Sequence, residues 1–179
     1  MSKTKKLVLA ALFLAIGLLL PFVTGQIPTI GKMLSPMHIP VILAGFILGP
    51  AYGAAIGFIC PLLRAVLFGM PALFPDAVGM AFELMTYGFV SGAVFRALKK
   101  KKGNRLLRIY ITLIITMLSG RIVWGIVRFI LAVLFNLSFP FKAFLTGAFL
   151  FAWPGIIVHL ILIPVILEAL YRSKLIKEE

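Results

Sequence analysis

Long apolar runs alternate with short polar or Gly/Pro-rich intervals along the whole chain, and each run predicts a helix. The first, Leu7 to Val23, follows a basic start and is long enough to cross a membrane. It carries no clear A-x-A cleavage site, so it reads as a retained first helix rather than a signal peptide. Thr24 to Met37 holds Gly25, Pro28, Gly31 and Pro36 and predicts a structured loop. Ile39 to Leu48 is apolar but short for a span, which fits a tilted or partly re-entrant helix. After a turn at Gly49 and Pro50, a third helix runs from Ala51 to Phe68 with Pro61 inside it. Such a proline kinks a helix, although neighbours within a membrane can satisfy the carbonyl it frees. Gly69 to Asp76 reads as an external loop, Ala77 to Leu98 as the fourth helix and Leu107 to Phe135 as the fifth. Asn136 to Lys142 forms an outer turn and Phe144 to Leu170 a sixth helix. The expectation is an all-α integral membrane protein: one domain over residues 1–179, six transmembrane helices and no internal repeat.

Composition agrees, because 62% apolar and 13% charged residues lie far outside the soluble range. The net charge of +13 raises nucleic acid as a partner until its placement is considered. Thirteen of the eighteen Lys and Arg fall in three segments, at Lys3–Lys6, Arg96–Arg108 and Arg172–Lys177, with apolar runs between them. By the positive-inside rule these mark one membrane face and place both termini in the cytoplasm. Only Lys32 and Lys142 fall in outer loops. The basic groups, including the run Lys99 to Lys102, suit anionic lipid headgroups rather than nucleic acid. Cys60, the single cysteine, excludes an internal disulfide framework and reads as a packing residue.

Arg64, Glu83, Arg121 and Arg128 sit inside the expected spans, where each charge costs at least ~2.5 kcal/mol unless paired or hydrated. Counted along their helices, all four lie in the outer half of the membrane. Arg121, Trp124, Gly125 and Arg128 share one stripe of the fifth helix, and Glu83, Tyr87 and Ser91 share one of the fourth. Thr146 and Trp153 share a face of the sixth, with His159 off it. Turned together, the first two stripes make an outward-opening cavity that can hold a small polar molecule by charge-assisted hydrogen bonds and aromatic stacking. Plainer readings stand beside this one. Arg128 can snorkel to the headgroups, Arg64 and Glu83 can form a structural ion pair, and His159 can be a hydrogen-bonded packing residue. Trp124 and Trp153 can pack or anchor at the interface instead of touching a ligand.

Catalytic signatures are missing. Gly25 to Lys32 resembles a Walker A loop, but its spacing is one residue too long and Met33 replaces the required Ser or Thr. No HExxH pair, nucleophile elbow or paired-acid cluster occurs, so no catalytic residue, metal site or cofactor is expected.

The stretch from Leu34 to Pro40, the block Gly45 through Gly57, Pro61 to Arg64, Phe68 to Pro71 and Phe82 to Gly88 together resemble the S components of energy-coupling factor (ECF) transporters. The similarity is to a subgroup assigned to small vitamins or their precursors, and His38 to Gly88 is its most specific part. It implies a non-catalytic subunit that captures a vitamin from outside and topples against a T component driven by two cytoplasmic ATPases. The loop from Thr24 to Met37 would then be the external lid. Ala11 and Ala15 match the family's AxxxA pattern, and small residues four apart let a partner helix approach closely. The candidate substrate-binding set is Arg64, Glu83, Tyr87, Arg121, Trp124, Trp153 and His38. Pantothenate would need Arg121 or Arg64 for its carboxylate. Pyridoxine or hydroxymethylpyrimidine offers a flat ring to Trp124 or Tyr87 and polar groups to Glu83, and an acid in the pocket favours these ring-bearing substrates. A stand-alone secondary transporter or channel is the alternative, suggested by the polar interior and the proline-interrupted third helix.

Overall fold

The computed structural model describes residues 1–24, 33–99, 103–138, 140–150, 152–173 and 175–176. Gly25 to Lys32, with the Walker-like spacing and most of the expected lid, lie outside the described residues, as do Lys100 to Lys102, Lys174 and Lys177. Every regular element among the described residues is helical.

Helix α1, Lys3–Leu19, starts at Ser2, whose hydroxyl accepts the Lys5 amide at 3.3 Å, and runs into a 3₁₀ turn over Leu20–Thr24. Helix α2 is His38–Leu48, α3 is Pro50–Phe68 and α4 is Val78–Lys99, entered through a π turn at Leu73–Ala77. Helix α5, Arg105–Leu134, is capped by the Asn104 side chain, which accepts the Leu106 amide at 2.9 Å. A short α6, Phe141–Leu145, and a π turn, Thr146–Leu150, lead into α7, Trp153–Arg172. Five stretches are long and apolar enough to cross a membrane: Lys3–Val23, Pro50–Phe68, Leu73–Lys99, Arg105–Leu134 and Trp153–Arg172.

The remaining expected span, α2, is shorter than these five. At ~1.5 Å per residue its eleven residues reach about 16 Å, half of the ~30 Å hydrocarbon thickness. Ten of the eleven are buried, and the helix is apolar on every side, as a helix enclosed by others must be. It packs against α1, α3, α4 and α7. Glycine makes the tightest of these contacts possible. A Cβ on Gly53 or Gly88 would overlap the other residue's carbonyl, and one on Gly45 would strike Ser91 Oγ and the Gly88 carbonyl. Backbones of α2, α3 and α4 therefore touch directly, which is how helices associate where no hydrophobic drive separates them from lipid. Ser91 fastens the same seam, donating to the carbonyls of Ile42 and Gly88 at 3.2 Å each. At the other end of α2, Gly49 adopts φ +100°, open to glycine but strained for other residues, and Arg96 donates to the Leu48 carbonyl at 3.1 Å.

The expected sixth helix, Phe144 to Leu170, is not continuous. Pro154 lacks the amide that an unbroken helix would donate to residue 150, so a new helix begins with the proline in its first turn. Thr146 and Trp153 consequently do not lie on one helical face.

Candidate functional site

Glu83 is the centre of a buried polar cluster. It lies on the face of α4 turned toward α2 and α5 and is 2% exposed. Its Oε1 meets Arg121 Nη1 of α5 at 3.1 Å and accepts the Tyr87 hydroxyl at 3.1 Å. His38, the first residue of α2, brings Nε2 to 3.6 Å from the same oxygen, beyond hydrogen-bond length. Gly120 lets α5 close over this group, since a Cβ there would overlap the Tyr87 ring. Sequence periodicity paired Glu83 with Tyr87 and placed Arg121 on a polar stripe, and the fold joins these stripes with α2 as the third wall.

One further residue, His159, meets this cluster, and Thr116 lies farther along α5. His159 of α7 is buried, its ring stacked 5.8 Å from that of His38, and its Nε2 lies 3.3 Å from the Ser35 carbonyl. That contact needs the tautomer with hydrogen on Nε2. Thr116, fully buried, lies one turn before Gly120 on the inward face of α5. The signal for His159 was its type, because an ionisable group in mid-span is functional by default. It was set aside by a face count anchored on Thr146 and Trp153, across the helix break.

The cluster is only half satisfied. Among the described residues, both ring nitrogens of His38, Nε of Arg121 and Oγ1 of Thr116 are buried without a hydrogen-bond partner. Native interiors leave few such atoms, because each costs about 1–3 kcal/mol. One imidazole and one guanidinium edge thus offer donors and acceptors to a small polar guest. Above them the described end of the 24–37 loop packs onto α7: a Cβ on Gly155 would come 2.5 Å from the Met33 carbonyl.

Other candidates lie apart. Arg64, 3% exposed, donates to the Leu18 carbonyl at 2.6 Å and sits 5.0 and 5.4 Å from the Phe22 and Phe68 ring centres. Its described partners belong to the end of α1 and to α3, and the ion partners of Glu83 are Arg121 and His38. Trp124 stacks on Phe144 at 6.2 Å, about one turn before Arg128, which pairs with Asp76 at 2.9 Å. Trp153 is 58% exposed at the start of α7. Ala11 and Ala15 are exposed along α1. A cavity of about 470 Å³ between α1, α2 and α7, lined by Phe13, Leu20, Ile39 and Leu162 among others, is wholly apolar. It offers nothing to orient a water-soluble guest, so the polar cluster is the better candidate.

No curated protein and no solved structure matches this chain. A family model described as "ECF transporter, substrate-specific component" matches residues 5–167, nearly the full length. That family is a membrane transport component rather than an enzyme. With its apolar helices and buried polar cluster, the chain belongs to the family of ECF transporter substrate-specific components.

Proposed function

We propose that this chain captures a small, water-soluble vitamin or precursor with a flat heteroaromatic ring, of the pyridoxine or hydroxymethylpyrimidine type, for ATP-driven uptake. The observation that carries the reading is the set of buried atoms on His38 and Arg121 around Glu83 that have no partner among the described residues. A structural ion pair would have no reason to leave them unsatisfied. Arg121 is already engaged by Glu83 at 3.1 Å, so no surplus positive charge awaits a carboxylate such as that of pantothenate. Hydroxyl groups and ring nitrogens match the half-used imidazole and guanidinium instead.

In this reading both termini and the basic α4–α5 connection face the cytoplasm, and the 24–37 loop covers the site from outside. Energy comes from a T component and two ATPases, and the exposed Ala11 and Ala15 of α1 receive the T component. Mass spectrometry of the small molecule that co-purifies with the detergent-solubilised protein tests the substrate class. A neutral hydroxylated heteroaromatic is the expected result, and a carboxylate vitamin would overturn it. The Ala11→Trp, Ala15→Trp double variant should keep that ligand and lose recovery of the T component. A chain that transports without any partner would be a secondary transporter.

A further inference from the structure

We propose that the cleft between α5 and α7 at their basic ends is a binding site for one anionic glycerophospholipid. Leu106 and Tyr110 of α5 and Val165 and Ala169 of α7 line a space of about 350 Å³, with Glu168 and Arg172 at its polar end. The small side chain of Ala169 leaves the shelf on which an acyl chain can lie. Val165 and Tyr110 are 59% and 41% exposed, so this surface faces the surroundings of the bundle rather than its core. Since α5 and α7 are both long and apolar enough to cross a membrane, those surroundings are lipid.

Charge selects the headgroup. Arg105 grips Glu168 with both ends of its fork, at 2.7 to 3.1 Å, and packs 4.7 Å from the Tyr171 ring centre. Arg172 also reaches Glu168, but only through Nε at 3.3 Å. Two guanidinium groups on one carboxylate leave the rim with one net positive charge. The side chain of Arg172 is 80% exposed, which points its outer nitrogens at the level where a phosphodiester would lie. Arginine's planar fork suits that group bidentately. Glu168 does not repel it, being neutralised by Arg105, and instead holds Arg172 at the cleft mouth. The apolar floor takes the chain and the rim takes the phosphate, so both halves of one lipid are matched.

Native mass spectrometry of the full chain, equilibrated in nanodiscs of equal phosphatidylglycerol and phosphatidylcholine, reads the preference directly. Wild type should retain one phosphatidylglycerol about fivefold more often than phosphatidylcholine, the ratio that ~1 kcal/mol per basic residue near an anionic surface provides. Arg172→Gln should bring the ratio near one, and Ala169→Trp, which fills the shelf, should reduce retention of both lipids. Lys142→Gln, which removes an exposed charge outside the cleft, should leave the ratio as it is. Equal retention by wild type, or an undiminished ratio in Arg172→Gln, would overturn the site. Should Arg172→Gln not yield folded protein, Arg172→Lys must keep most of the preference, and its loss there would equally count against the proposal. Cross-linking of a protein segment rather than lipid to a photoreactive group at residue 165 would assign the cleft to a partner instead.

Discussion

The α2–α3–α4 unit and the α5–α7 side of the molecule are packed by different means. In the first, backbones meet through Gly45, Gly53 and Gly88, with Ser91 bonding across the seam. In the second, α5 and α7 meet through side chains and leave a cleft of about 350 Å³ between them. The polar cluster straddles the border: His38, Glu83 and Tyr87 come from the tight unit, whereas Arg121 and His159 come from the looser side. A close-packed frame fixes the carboxylate, and the groups that must adjust to a guest sit on elements with room to do so.

The largest effect is expected where that difference is most extreme. Gly88→Leu cannot be accommodated by a rotamer change, because the obstacle is the Gly53 backbone itself. Destabilisation should exceed the ~1–3 kcal/mol usual for overpacked cores, seen as loss of a monodisperse peak in size-exclusion chromatography. A mild effect would mean that the helices do not touch. An intermediate effect should follow Arg64→Met, which removes a charge-assisted bond to the Leu18 carbonyl and two ring contacts joining α1 to α3. Thermal unfolding should shift by an amount worth about 1.5–3 kcal/mol, while ligand affinity stays within about twofold; a large affinity loss would move Arg64 into the site. Smallest of all should be Ile126→Ala on the outward face of α5, 53% exposed, with a change inside about 0.5 kcal/mol. A larger shift there would reveal a hidden contact on the loose side.

The chain's hydrophobic pattern made α3, α4 and α5 legible to within two residues at each end, because each is bounded by charge, proline or glycine. It left α2 as a tilted or partly re-entrant helix for a physical reason: uniform apolarity does not distinguish a short span from a helix enclosed by its neighbours, and the backbone contacts at Gly45 show that it is enclosed. The break before α7 was hidden because Ala143 to Trp153 is apolar apart from Thr146, and the one proline, Pro154, follows it. Glu83, Tyr87 and Arg121 were legible as charged or aromatic groups on polar stripes. Thr116 was not, since a threonine in a membrane helix ordinarily bonds its own backbone, as Thr112 does to the Arg108 carbonyl at 2.7 Å. Arg64 looked equivalent to Arg121 in sequence, and tertiary structure separated them.

The central claim is that Glu83 organises the binding site. It is tested most directly by titrating the co-purified ligand into ligand-free wild type and Glu83→Gln, with thermal unfolding followed in parallel. Removing one member of a buried charged contact commonly costs about 2–5 kcal/mol, so affinity should fall at least about thirtyfold in the variant while it still unfolds cooperatively. A Glu83→Gln protein that folds normally and binds the ligand as tightly as wild type would contradict the account.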